Sequence, residues 1–313
     1  MSANVESMMY VGRVAPWHGL GVSVESAPTS EDALVAAGLD WQVGQKEIFL
    51  PNNTLVEGYK ANVRETDGQV LGIVTDRYTI VQNTEAFAFV DALLGEGVRY
   101  ETAGSLQSGR KVWMLAKLPN EYKILDDAIE PYLVFTNSHD GKGSIFAAMT
   151  PIRVVCQNTL NLALEKANRM WKTHHIGKME NKMDEAAMTL QLGNQYMDAL
   201  SREAWDLAKI KLSDSAIEEY IKLLIPIKDE TLNTQSVINK RMLRQALWSR
   251  YRYAPDLQHI GKNAFRFVNA VSDFATHQKP LRRTDTYKEN LFSKTIDGNA
   301  LFDKAYQIVK ISA

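Results

Sequence analysis

Two histidine-containing stretches and one cysteine are the residues of this chain whose chemistry could serve a reaction. His139 precedes Asp140 in TNSHDG, and an imidazole beside a carboxylate can act as a general acid–base pair. His174 and His175 are adjacent, but neighbouring residues of a helix or strand cannot both face one ion, and no Cys or carboxylate spacing completes a zinc site. Cys156 lies within an apolar predicted strand, where we expect a buried, unreactive thiol.

None of these residues belongs to a complete catalytic constellation. The chain contains no G-x-x-x-x-G-K-[ST], G-x-G-x-x-G, H-E-x-x-H or G-x-S-x-G motif. At Asp140-Gly141 the sequence favours a turn preceded by a polar residue over an acid–base pair. It favours a protein without catalytic activity over an enzyme, and it implies neither a metal nor a cofactor.

The distribution of charge indicates a different chemistry. The net charge of the 313 residues is −1, but residues 1–125 carry −5 and residues 126–239 carry −4. Residues 240–313 hold 14 basic and 6 acidic residues, a net charge of +8. Such asymmetry is typical of a polyanion-binding end, and a solvated helical face is the alternative explanation.

Basic and aromatic side chains are interleaved in this basic third. They occupy the predicted helix QSVINKRMLRQALWSRYRY, capped by Thr234, and the basic loop HQKPLRRTDTYKEN. A second basic stretch is a predicted hairpin tip beside Trp113, for which an ordinary solvent-facing turn is the alternative. Cations with aromatic rings suit neutralisation of phosphates combined with stacking of bases. The candidate nucleic-acid-binding residues are Arg110, Lys111, Arg241, Arg244, Trp248, Arg250, Tyr251, Arg252, Lys279, Arg282 and Arg283.

The first half of the chain is organised around a unit of strand, turn, strand and helix that occurs twice. In residues 131–168 apolar runs flank Asp140-Gly141, and QNT then opens a helical pattern. In residues 58–94 two strands flank Asp67-Gly68 before another QNT, 75 residues earlier. Side-chain oxygens of Asn and Thr can cap a helix. The spacing predicts a structural repeat, and the alternative is coincidence, because such caps and turns are common.

The fold class predicted is α+β. Two hairpin-plus-helix units enclose a third hairpin, formed by Val98 to Leu106 and Lys111 to Leu118, and a mostly helical region follows. We expect a β-hairpin/helix domain over 1–168, a connector over 169–183 and a helical, basic region over 184–313. The strands between 41 and 155 would leave open edges in a monomer, so we expect self-association.

Composition and motifs give an expected origin and location. One cysteine permits no disulfide within the chain, no apolar run could span a bilayer, and the first residues lack the features of a signal peptide. These features predict a cytoplasmic protein without a membrane partner. PWHGLG, TNSHDG and TPIRVVCQNTLNLAL resemble the phage/plasmid-like proteins of phages, prophages and plasmids, a domain family of unknown function. That resemblance implies a mobile element and a bacterial host cytoplasm.

Two functions are favoured by the sequence, and a catalytic role comes third. The first is a single-stranded-DNA-binding protein, of the annealing or recombination kind, that acts as a homo-oligomer without catalysis. Its analogy with annealing proteins is architectural only. The second is a protein-binding factor that inhibits or redirects a host or defence protein.

Overall fold

The structure of the chain is a computed structural model. It describes residues 5–12, 22–26, 29–94, 99–119, 122–125, 127–153, 170–177, 182, 184–186, 188, 193–278 and 300–312. Strands dominate the first half and helices the second, so the predicted α+β class with a helical C-terminal region is confirmed.

Eleven strands are defined in the described residues. They are β1 (Val5–Val11), β2 (Val22–Val24), β3 (Val43–Phe49), β4 (Leu55–Arg64), β5 (Val70–Thr75), β6 (Arg99–Leu106), β7 (Lys111–Lys117), β8 (Tyr122–Ile124), β9 (Asp127–Ser138), β10 (Ile145–Arg153) and β11 (Met170–Thr173). One sheet has the order β11-β10-β9-β7-β6-β1-β2, with β8 paired to β9, and the other has the order β3-β4-β5. Every pair for which the register is defined is antiparallel except β1 with β2.

The helices follow the start and stop signals of the sequence. They are α1 (Ser30–Ala36), α2 (Asn83–Leu94), α3 (Gly193–Lys209), α4 (Asp214–Leu224), α5 (Gln235–Tyr253), α6 (Ala264–His277) and α7 (Ala300–Ser312). Thr29 and Asp32 form a capping box at α1, and Thr234 caps α5 as predicted.

The chain divides into two compact units. The first, which we call the sheet unit, comprises Met1–Asn120, Pro131–Met149 and Ala167–Gly193. The second, the helical unit, comprises Glu121–Glu130, Thr150–Lys166 and Asn194–Ala313. Strand β11 lies inside the segment that the sequence assigned to a connector, because four strand residues are too few to produce a recognisable period.

The core of the sheet unit lies where α1 and α2 meet the large sheet. Leu34, Phe87 and Val90 from the helices are buried in one cluster with Met114 and Phe135 from β7 and β9. At about 1.5–3 kcal/mol for each fully buried large apolar side chain, this cluster is the main stabilising element of the unit. The large sheet, which carries the loops at its ends, is therefore packed against α1 and α2 through a buried core.

The two repeated units agree with the structure to different extents. The hairpin β4–β5 carries Asp67-Gly68 in its turn, and α2 begins at Asn83. Its second strand ends at Thr75 instead of reaching Val81, because the chain turns there and the Tyr78 amide donates to the Thr75 carbonyl. The hairpin β9–β10 is present, but residues 154–168 lie outside the described residues. The repeat of the two units therefore stays a prediction.

The helical unit is built on the packing of α5 against α6 and of α6 against α7. Phe265, Phe267 and Val271 of α6 are fully buried. The predicted α5 has the boundaries that the cap and the following Pro255 indicate. Most of its surface is exposed or half-buried.

Candidate functional site

In the sheet unit, the TNSHDG motif forms a tight loop between β9 and β10. Asp140 organises it, because one carboxylate oxygen, Oδ1, accepts hydrogen bonds from Ser138 Oγ at 2.6 Å and from the amides of Lys142 and Gly143, each at 2.8 Å. Gly141 adopts φ +72°, a conformation in which glycine is favoured. The predicted turn is therefore present at Asp140-Gly141.

The small sheet covers this loop at close range. A Cβ on Gly72 of β5 would lie 2.6 Å from the backbone of Asp140. Asn62 of β4, fully buried, donates from Nδ2 to the His139 carbonyl at 2.8 Å. The Tyr78 hydroxyl donates to the Ser138 carbonyl at 2.6 Å. The main-chain carbonyls of the motif are thereby bonded to side chains that come from 60 to 77 residues earlier.

The imidazole of His139 points into the core of the sheet unit. Its Nε2 lies 2.9 Å from Oδ1 of Asn83, whose Nδ2 donates to the Leu39 carbonyl. Because an amide oxygen only accepts, Nε2 carries the proton and Nδ1 does not. Among the described residues, Nδ1 has no hydrogen-bond partner. Trp41 packs edge-on against the ring at 5.4 Å.

His175 is the second buried imidazole of the sheet unit. Its Nδ1 lies 3.2 Å from the Thr79 carbonyl and donates to it, and Tyr78 stacks on the ring at 4.7 Å. Its Nε2 has no partner among the described residues. The neighbouring His174 is exposed, so the two adjacent histidines face different environments.

Burial sets the protonation of these groups. It lowers the pKa of His139 to about 3 and that of His175 to about 4, so both are neutral at pH 7. Burial also raises the pKa of Tyr78. For Asp140 burial opposes ionisation, but the hydrogen bonds from Ser138 and the two amides outweigh it and lower the pKa.

This arrangement supports structure rather than catalysis. His139 is fully buried and bonded to an amide, and its imidazole makes no hydrogen bond to Asp140, whose bonds hold the turn. An acid–base group must reach the proton that it transfers, which a fully buried imidazole cannot do in this conformation. The His139-Asp140 motif therefore holds the β9–β10 loop in place.

The predicted basic tip of the β6–β7 hairpin adjoins this loop. The Arg110 carbonyl accepts a hydrogen bond from the His139 amide at 2.8 Å, and Lys111 pairs in register with Ser138. Lys111 also contributes to the lowered pKa of Asp140. The Arg110 side chain is exposed, whereas Trp113 is buried and presents no ring to solvent.

In the helical unit, the first arginines of α5 hold the loop that precedes the helix. Arg241 donates from Nη1 to Asn233 Oδ1 at 3.1 Å, and it also bonds the Glu230 carbonyl. Arg244 donates from Nε to the Ile225 carbonyl at 2.9 Å and pairs through Nη1 with Glu230 at 2.6 Å. Each guanidinium thus already has acceptors.

The last arginines of α5 pair with other helices. Arg250 forms an ion pair with Asp273 of α6, and Arg252 pairs with Asp214 of α4 at 2.8 Å. The guanidinium of Arg252 also lies over the Trp248 ring at 5.9 Å. Each of the nine described Lys and Arg residues after 239 has at least one hydrogen-bond or ion-pair partner. They are Lys240, Arg241, Arg244, Arg250, Arg252, Lys262, Arg266, Lys304 and Lys310.

The predicted stacking residues are less accessible than the sequence suggested. Tyr251 is buried, with its ring against Phe267 and beneath the Arg266 guanidinium, because α5 packs that face on α6. Trp248 is half-buried. The predicted residues Lys279, Arg282 and Arg283 lie outside the described residues.

Sequence reasoning missed one exposed apolar surface, on the small sheet. We call residues 47–59, the distal part of β3 and β4, the arm; none of them is buried. Phe49, Leu50, Leu55 and Tyr59 are each about half exposed. The signal was available in Ile48 to Leu50 and Leu55 to Val56, since both strands carry consecutive apolar residues that one face of a two-sided sheet cannot bury.

The described residues contain neither a metal site nor a membrane-spanning helix. No group of three or more His, Cys, Asp or Glu in the described part of the chain is arranged to hold a metal ion. Within that same part, every helix is too short or too polar to traverse a bilayer.

Comparison with known proteins gives a family without a known function. The two sheets and the helical unit define an α+β protein. The family model described as "Domain of unknown function (DUF932)" matches residues 70–295, and the chain belongs to that family. The expected membership of a family of unknown function is thus confirmed. No curated protein and no solved structure matches the chain.

Proposed function

We propose that this protein binds single-stranded DNA in annealing or recombination for a phage, prophage or plasmid, without catalysing a reaction. It would act as a homo-oligomer in the cytoplasm of a bacterial host. The observation that carries the proposal is the net charge of +8 on residues 240–313. The mobile-element origin rests on the resemblance at TNSHDG and TPIRVVCQNTLNLAL.

The internal bonds of α5 determine which cations can contact a phosphate. An exposed ion pair contributes about 0–1 kcal/mol, so a phosphate can replace Asp214 as the partner of Arg252. Arg266 is buried and donates to three main-chain carbonyls, which keeps it in the fold. We therefore expect a direct contact from Arg252, and the sequence predicts further contacts from Lys279, Arg282 and Arg283, with long-range attraction from the remaining cations of residues 240–313.

A salt titration tests the proposal. A labelled oligodeoxythymidylate is titrated with the protein between about 50 mM and about 200 mM salt, where each neutralised phosphate contributes about −0.7 to the log–log slope. Four contacts predict a slope near −3. Replacing Arg252, Arg282 and Arg283 with glutamine should weaken binding and reduce the steepness of the slope by about 2.

The matched control is Lys46→Gln, which removes one charge from an exposed position of the sheet unit. It should leave both affinity and slope unchanged if the contact lies in the helical unit. Absence of salt-sensitive binding by the wild type at the lowest salt would overturn the proposal.

The exposed arm favours a second candidate function, that of a factor which binds and redirects a host or defence protein. Contiguous apolar side chains at a protein surface often mark an interaction site. Phe49→Ser with Tyr59→Ser should abolish capture of a specific host protein, whereas Asn52→Ser at the arm tip should not. Equal capture by wild type and both variants would exclude the arm as that site.

A further inference from the structure

Trp205 is an exposed aromatic side chain that the helical unit does not use for its own packing. It is 52% exposed on α3, where the neighbouring Tyr196, Leu200, Ala204 and Leu207 form the buried stripe. Among the described aromatic residues of this unit, the only other one more than half exposed is Tyr253, at the end of α5. Exposing an indole ring forgoes a large burial energy, and this position needs an explanation.

Two cations flank Trp205 on the same face of the helix. Arg202 lies three residues before it and Lys209 four residues after it, which places both one turn away. Lys209 pairs with Asp206 at 2.8 Å, with both groups exposed. Arg202 is exposed and has no hydrogen-bond or ion-pair partner in the described part of the chain, in contrast to the nine paired cations of the basic third.

We infer that Trp205 stacks on an unpaired base of single-stranded DNA, and that Arg202 and Lys209 contact the phosphates on either side of that base. The two cations lie about 10 Å apart along the helix axis, and their long side chains can converge on neighbouring phosphates. A ring between two cations is the combination that holds a single strand without reading its sequence. The inference rests on the proposed function and moves its aromatic contact from α5 to α3.

The carboxylates on this face provide a test in which a substitution should strengthen DNA binding instead of weakening it. Asp206 is neutralised by Lys209, whereas Asp198 is exposed one turn before Arg202. A bound phosphate would be repelled by Asp198. Asp198→Asn should therefore tighten binding, an effect that a purely structural role of the helix does not produce.

The decisive experiment compares Trp205 variants in the full-length protein. Trp205→Ala should weaken binding of labelled oligodeoxythymidylate about five- to a hundredfold, the usual effect of losing one stacked base. Trp205→Phe should retain most of the affinity but lose the quenching of tryptophan fluorescence that DNA causes. Arg202→Gln should make the salt slope shallower by about 0.7. Leu223→Ala, at a 51% exposed apolar position of α4, is the control and should change none of these.

The outcomes separate the inference from the proposed function. If the wild type binds and Trp205→Ala binds equally well, the stacking role is wrong while DNA binding stands. If the wild type does not bind, both fail. If Trp205→Ala keeps DNA binding but loses capture of a host protein, the α3 face binds protein and the inference is overturned.

Discussion

The imidazole of His139 is held in one tautomer by an amide that cannot change its charge. Asn83 accepts from Nε2 through Oδ1 and uses its own Nδ2 on the Leu39 carbonyl. Three segments distant in sequence are therefore connected through two side chains. Neither group can reverse its donor and acceptor roles without leaving a buried atom unpaired.

Removing the His139 ring should destabilise the sheet unit strongly. We expect His139→Ala to lower the free energy of unfolding by about 2–4 kcal/mol, because it leaves a cavity and an unpaired Asn83 oxygen. Urea unfolding monitored by circular dichroism measures the change. His174→Ala, at an exposed position, should stay within about 0.5 kcal/mol. Equal losses for the two variants would contradict the structural role of His139.

The two buried histidines make stability depend on pH in a defined window. Their folded pKa values of about 3 and about 4 lie below the value of about 6.5 in the unfolded chain. The stability that these two neutral histidines contribute is therefore fully present above about pH 6.5. It decreases as the pH falls, because the unfolded state binds protons first. Each histidine contributes a slope of about 1.4 kcal/mol per pH unit until its folded pKa is reached.

His175→Asn tests this slope. The asparagine amide can still donate to the Thr79 carbonyl, but it does not titrate. Urea midpoints measured between about pH 7 and about pH 4.5 should show roughly half of the wild-type pH dependence. An unchanged dependence would show that His175 is not held neutral in the folded protein.

At the scale of elements, the approach of β5 to the TNSHDG loop depends on one glycine. A Cβ at Gly72 would overlap the Asp140 backbone, so Gly72→Ala should cost about 1–3 kcal/mol through overpacking. Gly44→Ala in β3 is a matched control, because its Cβ would meet only the mobile end of the Glu65 side chain. Thermal unfolding should show a clear loss for the first variant and little change for the second. Similar melting temperatures would argue against the close approach.

In the helical unit, Arg266 connects α6 to the end of α5. It donates to the carbonyls of Tyr251 at 2.8 Å, Ile260 at 3.0 Å and Arg252 at 3.1 Å. Arg266→Ala should lower the free energy of unfolding by about 2–4 kcal/mol, because the carbonyls of Tyr251 and Ile260 lose a charged donor in buried hydrogen bonds. Arg202→Ala should stay within about 0.5 kcal/mol in the same urea titration. If both variants unfold at the same urea concentration, Arg266 is not a structural residue.

Local sequence signals predicted the boundaries of elements, but they did not predict the hydrogen-bond partners of polar and charged side chains. The caps and turn residues placed α5 and the β6–β7 hairpin to within one residue. Asn83 has the residue type of a helix cap and stands at the start of α2, yet its side chain bonds His139, 56 residues later. Arg252 meets Asp214 across 38 residues. Such contacts depend on how elements pack, which no period or spacing in the sequence encodes.

At the scale of the whole molecule, the exposed apolar side chains of the arm favour self-association. We expect light scattering to show a mass above that of the monomer at micromolar protein. Replacing Phe49 and Leu55 with serine should weaken the association about tenfold or more, since apolar anchors dominate most interfaces. Asn52→Ser at the arm tip should have no effect. A monomer under all conditions, with and without DNA, would refute the homo-oligomer.

The charge of the whole chain could be read from the sequence, but the sequence did not show which cations are free to bind a ligand. The excess of cations after residue 239 predicted a polyanion-binding end, and each described cation there proved to be bonded within its own unit. Trp205 was overlooked because it stands outside the basic third, among residues whose apolar stripe predicted only packing. A helical wheel of α3 would have placed it opposite that stripe.

The side chain of Gln82 affects whether strands of other molecules can add to the edge of the small sheet at high protein concentration. Its side-chain amide accepts from the Val43 amide at 2.9 Å and donates to the Val43 carbonyl at 2.8 Å, on strand β3, which borders the small sheet. One side chain thus occupies the positions that an incoming strand would use, and Lys46 follows three residues later on the same strand. Both are devices that discourage strands of different molecules from joining into fibrils. The first residue of the QNT motif therefore occupies the edge of β3 at Val43 in the folded protein, where a strand of another molecule would otherwise pair.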